Sequence, residues 1–336
     1  MHVTLFKAGK SPIPPPGYGG AERFIYWLGK TLIELGHKVT LIANAHSHIP
    51  GAELRVLDTD GKDPQSLARL VPDETDIVHL WDKTTVNLKK PFLLSVGGNG
   101  QPGEQFPVNT VFVSRSHAAN HGSKHFVYSG IIPSDYAFSE KREDFAVFLA
   151  KARWSVKNLA GAAAVARRAG VELRVIGSRD WPLKLHRWLP AIRGVRYCGT
   201  ADDAEKRDLL SRARCLLFPV RWEEPFGLAL TEALVSGCYV AGTPYGALPE
   251  IVTPEVGCLS TRAAELAAAV SHPERYQPQA CRDRVLRGGF TLRDSALGYI
   301  RCYERILAHG SLGDPGEPAP ATKAGFVAKQ LLPWEN

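Results

Sequence analysis

Residues 218–252 read FPVRWEEPFGLALTEALVSGCYVAGTPYGALPEIV, and the order of residue types here decides what kind of chain this is. Cys215–Phe218 ends an apolar run that Pro219 stops, as a buried strand ends in a loop. Glu224 lies in that loop, and Gly227, lacking a side chain, lets backbone approach a ligand closely. From Leu228 the apolar residues recur at helical spacing through Ala229, Leu230, Ala233 and Leu234, and Gly237 closes the pattern as a C-terminal cap. A short strand and a second glycine- and proline-containing loop follow. Glu224 and Glu232 flank the turn with seven residues between them. A helix beginning at Gly227 points its first N–H groups and the positive end of its dipole at any bound anion.

A pair of glutamates at this spacing is common in βα units. The surrounding pattern is not: Glu224-Pro225-Phe226-Gly227, the second glutamate on the helix, then Gly246-Ala247-Leu248-Pro249-Glu250-Ile251-Val252 after the next strand. In this combination the chain resembles the retaining, GT-B-fold glycosyltransferases of the large family four. The resemblance implies a nucleotide-sugar site. Glu224 would bond hydroxyls of the donor sugar, Glu232 would hold the ribose, and backbone at Phe226, Gly227 and Leu228 would touch sugar and diphosphate.

Working back to the start, Val3–Phe6 reads as a strand, Pro12–Gly20 as a loop, residues 21–35 as a helix with Phe24, Ile25, Leu28, Leu32 and Leu35 on one face, and His37–Ala43 as a strand. This βαβ start sets a glycine loop before a helix N-terminus. In the resembled family the loop corresponding to Gly19, Gly20 and Glu22 faces the cleft near the donor diphosphate and the acceptor. Further strands are expected at Glu53–Leu57, Asp76–Trp81, Pro91–Val96, Asn109–Ser114 and Phe126–Ser129. Strands alternating with helices and glycine turns indicate a parallel, doubly wound sheet. Two departures from the family pattern stand out: Gly97 replaces a histidine that lies near the transferred sugar in relatives, and Ser129 replaces an asparagine. Asn99 offers a substitute polar group on the acceptor side.

Three other patterns are weighed and set aside. Gly29-Lys30-Thr31 suggests a phosphate loop, but Phe24 stands where the first glycine belongs and the tripeptide lies inside a helix. Asp58 and Asp60 match the D-x-D of metal-dependent GT-A transferases, yet Gly61 follows and a plain turn explains them. His117 and His121 could grip a metal from one helix face; they read instead as solvent-facing.

In the C-terminal half, Ser139–Asp144 is charged and irregular, an interdomain link. A second βαβ follows: strand Phe145–Ala150, a loop carrying Lys151, Arg153 and Lys157, helix Leu159–Ala169 and strand Val171–Ile176. Pre-positioned cations beside a helix N-terminus stabilise a departing diphosphate without a metal. In the resembled family an arginine precedes a lysine in this loop. Lys157 fits the lysine; Lys151, with one residue inserted, or Arg153 fits the arginine. By the same resemblance Gly177-Ser178 turns near the diphosphate and base, and Arg196–Gly199, with Tyr197 and Cys198, lines the nucleobase pocket. Residues 203–213 read as a helix. The helix Leu292–Ala308, with Tyr299, Ile300, Tyr303 and Leu307 apolar, matches the one that crosses back to the first domain in GT-B folds. Gly310–Lys323 reads as disordered or extended, and the closing GFVAKQLLPWEN as packing on the N-terminal domain.

A chain of 336 residues holds two medium domains. The expected fold is α/β, GT-B, with two Rossmann-like domains facing across a cleft: 1–140 on the acceptor side, 141–309 for the nucleotide-sugar donor, and 310–336 as a Pro/Gly-rich tail. The six cysteines, none in a C-x-x-C pair, read as reduced thiols and not as a disulfide framework or zinc site. The formal charge of +7 comes from dispersed Lys and Arg. No nucleic-acid recognition motif accompanies it, so phosphate-bearing small molecules or an anionic membrane surface are the expected partners. Neither a signal peptide nor a membrane span is expected, which places the chain in the cytoplasm, with the inner face of the membrane as a further option.

The expected activity is metal-independent, cofactor-free transfer of a sugar, with retention, from a nucleotide-diphosphate sugar to a hydroxyl of a saccharide or glycolipid. Glu224, Lys151 and Lys157 would be the catalytic groups. The alternatives are a non-catalytic nucleotide-sugar-binding protein, a metal-dependent transferase using Asp58 and Asp60, and a basic nucleic-acid-binding protein.

Overall fold

The computed structural model describes residues 1–16, 19–57, 64–82, 88–177, 194–199 and 203–336. The chain divides into two compact units, Met1–Gly130 with Leu292–Phe326, and Ile131–Thr291 with Val327–Asn336.

The first unit is built on parallel strands β1 (His2–Phe6), β2 (Lys38–Ala43), β3 (Glu53–Val56), β4 (Ile77–Leu80), β5 (Phe92–Val96) and β6 (Thr110–Phe112), in the order β3-β2-β1-β4-β5-β6. β1 and β4 are buried along their whole length, as befits central strands of a parallel sheet covered on both faces. Helix α1 (Gly20–Glu34) buries Phe24, Ile25, Leu28 and Leu32, the stripe its apolar spacing indicates. Short helices α2 (Pro64–Leu70) and α3 (Arg115–Asn120) follow; Ser114 caps α3, its Oγ accepting from His117 N–H at 3.0 Å.

The second unit repeats the plan with β7 (Glu143–Leu149), β8 (Glu172–Ile176), β9 (Val195–Tyr197), β10 (Ala213–Phe218), β11 (Tyr239–Gly242) and β12 (Gly257–Leu259), in the order β12-β11-β10-β7-β8-β9. Counted within each unit, both sheets have the strand order 3-2-1-4-5-6 of a Rossmann fold, so the expected pair of doubly wound units is present. The helices are α4 (Leu159–Ala169), α5 (Asp203–Arg212), α6 (Leu228–Val235), α7 (Leu248–Ile251), α8 (Ala263–Ser271) and α9 (Pro278–Arg287). The last helix, α10 (Leu292–His309), counts with the first unit.

A buried polar chain fastens α10 to the first sheet. Tyr303 Oη lies 2.6 Å from His79 Nδ1, His79 Nε2 lies 2.7 Å from Ser95 Oγ, and Ser95 donates to Tyr299 Oη at 3.0 Å. With the Ser95 proton directed at Tyr299, His79 carries its proton on Nε2 and accepts from Tyr303 at Nδ1.

Several local expectations are corrected. The buried stripe of α10 includes Ala296, Tyr299, Tyr303 and Ile306, whereas Ile300 is half-buried and Leu307 exposed; the latter two sit on the neighbouring helical row. Phe126–Ser129 is not a strand but one bridge, Phe126 to Phe112. Just beyond, Ser295 Oγ donates to Tyr128 O and accepts from Gly130 N–H, at 2.6 and 2.7 Å, in place of ladder partners. His117 and His121 are buried, not solvent-facing. Residues 310–323 lie hydrogen-bonded along the first unit, with Leu312 N–H on Asn109 Oδ1 at 2.9 Å and Phe106 N–H on Pro320 O at 2.8 Å. Val327–Asn336 packs on the second unit, not the first: Leu332 N–H donates to Arg221 O, and Glu335 pairs with residues 261–263. Among the described residues no helix is long and apolar enough to cross a membrane.

Candidate functional site

In a doubly wound sheet, the loops after the first and fourth strands diverge to opposite faces and leave a crevice at the strands' carboxyl ends. In the second unit those strands are β7 and β10, and their loops carry the residues singled out above.

The loop after β7 ends in a single 3-10 turn, Ser155–Lys157, and then Asn158. Asn158 takes the left-handed conformation (φ 57°), which asparagine tolerates. It caps α4 by accepting from Gly161 N–H at 3.0 Å and donates its Nδ2 to Pro219 O at 3.0 Å. A second tie, Arg221 N–H to Val156 O at 2.7 Å, locks the two loops together. Lys157 and Glu224 are thereby brought face to face.

Lys157 Nζ lies 2.5 Å from Glu224 Oε2, and Trp222 Nε1 donates to the same oxygen at 2.7 Å. The Lys157 ammonium also sits 4.6 Å from the Trp222 ring centroid and 5.3 Å from that of Phe218, within range for attraction to the ring faces. Glu224 is 7% exposed, and charge and hydrogen bonds hold its carboxylate. Phe226 is buried and packs against Phe290, ring centroids 6.1 Å apart. Gly227 is the N-cap of α6, and no side chain caps the helix; its first N–H groups therefore remain for an anion at that end, with Leu228 the first helical residue.

Glu232, one turn further along α6 and 8% exposed, is held in like manner. Its Oε1 accepts from Tyr136 Oη at 2.7 Å and from Lys206 Nζ at 2.8 Å. Burial, and next the negative charge of Glu232, raise the Tyr136 phenol well above its ordinary pKa, so it remains an O–H donor.

The Lys151 ammonium lies 4.7 Å from the ring centroid of Trp154, which Lys329 also approaches at 5.0 Å and which meets the Trp222 ring edge-on at 6.1 Å. Arg153, between Lys151 and Trp154 in the chain, is exposed. Gly177 directly follows β8 with φ +117°, and its N–H bonds Gly199 O at 2.8 Å; a Cβ there would fall 2.3 Å from Ala150 O, so only glycine lets the chain leaving β8 approach the end of β7 this closely. Tyr197 ends β9 and Cys198 follows, both half-buried, with burial raising the pKa of each. Ser178, Asp58 and Asp60 lie outside the described residues.

The remaining expected site residues belong to the first unit. Gly19 precedes α1 and Gly20 opens it; Glu22 lies in its first turn. Gly97, exposed, and Asn99, half-buried, follow β5. Their loop is held from α3: His117 Nε2 lies 3.1 Å from Gly98 O, and His121 Nε2 accepts from Gly100 N–H at 3.0 Å. Burial pushes the His117 pKa down to about 3, so its ring is neutral and donates to Gly98. The two histidines that resemble a metal grip are thus loop fasteners. A further pair, Lys7 with Asp82 at 3.0 Å, joins the ends of β1 and β4 at this unit's own switch point.

Sequence reading missed Trp222, Tyr136, Lys206, Asn158 and Lys7–Asp82. Asn158 had a signal, a capping residue directly before an apolar helical run. Trp222 stands two residues before Glu224. Tyr136 and Lys206 are 96 and 26 residues from the glutamate they hold, with nothing local to mark them.

The fold is that of the GT-B glycosyltransferases. AviGT4, a glycosyltransferase involved in avilamycin A biosynthesis, superposes with a TM-score of 0.73 at 24% identity, over 92% of this chain and 98% of that one. HepE of Anabaena, solved in complex with UDP-glucose, gives 0.63 at 13% identity over 92% and 100%. Within this fold, residues 146–272 match the sequence profile of the family described as Glycosyl transferases group 1, a span that holds Lys157, Glu224 and Glu232. A glycogen synthase of Mycobacterium tuberculosis is 34% identical over 107 residues, which cover 30% of this chain and 26% of that protein.

Proposed function

We propose that this protein transfers a sugar, with retention of anomeric configuration and without a metal, from a nucleotide-diphosphate sugar to a hydroxyl of a saccharide or glycolipid, as a member of the retaining glycosyltransferase family four. The observation that carries the reading is the Lys157–Glu224–Trp222 cluster at the β7/β10 switch point, beside the uncapped start of α6 and inside the stretch that matches the glycosyltransferase profile. HepE, of the same fold, holds UDP-glucose in its crystals.

In this reading Glu224 bonds hydroxyls of the donor sugar and Glu232 those of the ribose. Lys157 has three N–H groups and gives one to Glu224, so others remain for a phosphate oxygen. As the glycosidic bond breaks, charge builds on the diphosphate, and Lys157, Lys151 or Arg153, and the α6 N-terminus stabilise it. The sugar gains oxocarbenium character. The first unit supplies the acceptor residues Glu22, Gly97 and Asn99. The working place is the cytoplasm, at the inner membrane face if the acceptor is a glycolipid.

The test is a thermal-shift screen against UDP-, GDP-, ADP- and CMP-sugars, since a ligand that binds the folded state raises its melting temperature. It is followed by a transfer assay with and without excess chelator. A donor that binds and turns over in chelator is the expected outcome; loss of turnover on chelation would instead favour Asp58 and Asp60. A second reading, a nucleotide-sugar-binding protein without catalysis, draws support from Gly97, where no side chain replaces the family histidine. It predicts donor binding with no turnover on any saccharide or glycolipid acceptor.

A further inference from the structure

Two buried carboxylates of the second unit are held by the same arrangement of groups. At Glu224, Oε2 receives the Lys157 ammonium at 2.5 Å and the Trp222 indole N–H at 2.7 Å. At Glu232, Oε1 receives the Lys206 ammonium at 2.8 Å and the Tyr136 O–H at 2.7 Å. Among the described residues, no other side-chain hydrogen bond falls on either carboxylate, and neither second oxygen is sealed from solvent. In each triad the aromatic residue also faces the lysine, with ammonium-to-ring distances of 4.6 Å at Trp222 and 6.0 Å at Tyr136.

A lysine alone cannot choose between two carboxylate oxygens. Its ammonium is a point charge with rotatable donors on a flexible stem. An N–H or O–H on a buried ring is directional, and hydrogen bonds weaken steeply off-line. The ring donor therefore selects which oxygen is engaged and leaves the other for a ligand.

We propose that Trp222 and Tyr136 are positioning residues of the donor site. Each draws one oxygen of its glutamate onto the neighbouring lysine and so presents the other to a donor hydroxyl, Trp222 at the sugar end and Tyr136 at the nucleoside end. The proposal rests on the donor-site reading above.

The variants Trp222→Phe and Tyr136→Phe keep a ring and remove only the polar donor. Titration calorimetry of wild type and both variants with UDP and UDP-glucose, alongside GDP, ADP and CMP and their sugars, separates the roles. Trp222→Phe is expected to weaken the nucleotide sugar about 10-fold or more, the cost of one misplaced charge-assisted hydrogen bond, while the free nucleotide changes less than about 2-fold. Tyr136→Phe is expected to weaken both ligands alike, also about 10-fold. A merely structural role would move the melting temperature without this split, and equal or absent effects in Trp222→Phe would overturn the proposal. If Trp222→Phe fails to fold, the single-atom change in Tyr136→Phe carries the test, and unchanged affinities there overturn it. Wild type that binds none of these ligands sinks the donor-site reading itself. Crystal structures of the variants then judge the clamp alone: a glutamate turned off its lysine supports it, and an unmoved one overturns it.

Discussion

Gly246 lies flat against the backbone of Glu224. A Cβ at Gly246 would fall 2.3 Å from both the amide nitrogen and the carbonyl oxygen of Glu224, and its φ is +61°. The neighbouring Ala247 N–H donates to that same carbonyl at 2.9 Å, and Gly246 N–H to Glu223 Oε2 at 2.8 Å. The loop after β11 is therefore a backing plate for the glutamate.

Gly246→Ala is expected to push the Glu224 loop outward. Strain at positive φ and the backbone clash together should cost more than about 1 kcal/mol of stability. Denaturant melts read the stability, and the affinity for a donor found in the nucleotide-sugar screen reads the displacement, which should be larger than in a Gly289→Ala control, where positive φ meets open space.

The Lys157–Glu224 pair should behave as a buried unit. Removing one partner leaves the other charge uncompensated, at about 3 kcal/mol. Lys157→Met and Glu224→Gln are each expected to destabilise strongly, and the double variant to recover much of the loss. Sugar transfer should not recover, since loss of a cation at a developing anion costs roughly 2–4 kcal/mol of transition-state stabilisation. A double-mutant cycle in both readouts checks this; coupling in stability but recovered transfer would place the pair outside the chemistry.

Acid should weaken the first unit through its buried histidines. Burial lowers the pKa of His79 far below 6.5 and that of His117 to about 3. Below pH 6.5 the unfolded chain takes up protons that the folded one refuses, so the contribution is intact above that value and lost as pH falls. His117 should cost about 2 kcal/mol by about pH 5, and His79 adds to the loss in the same direction. Denaturation of wild type and His117→Gln at neutral and acid pH tests it; the variant should show a flatter decline.

The thiols should sort by burial. All six cysteines are free. Burial raises the pKa of Cys238 well above the ordinary range and pushes Cys215 and Cys281 up to about 12, so these three should resist a thiol reagent in native buffer at neutral pH. Half-buried Cys198 and Cys258 should react slowly, and all six in denaturant. Mass mapping of the labelled residues gives the answer.

Much of this fold was legible because its signals are local. The apolar runs of β1, β7 and β10, the helical spacing of α1 and α4, and the glycines closing helices each depend on neighbours in the chain. The motif around Glu224 and Glu232 was legible for the same reason, and it fell inside the stretch that matches the glycosyltransferase profile. The histidines of α3 were misread because a polar residue at helical spacing looks alike whether water or a loop carbonyl receives its proton.

By itself, the sequence determined two doubly wound units and a strand–loop–helix turn with two glutamates, since periodicity, capping and turn chemistry act over a few residues. The tertiary structure decided what those glutamates meet. β10 pairs with β7, and that sheet order brings Lys157 to Glu224 across 67 positions. The packing of the segment after Gly130 brings Tyr136 to Glu232 across 96. The ring donor that engages Glu232 comes from that long-range packing, whereas Trp222 stands beside Glu224 in the chain and only the tie between the β7 and β10 loops brings it to Lys157.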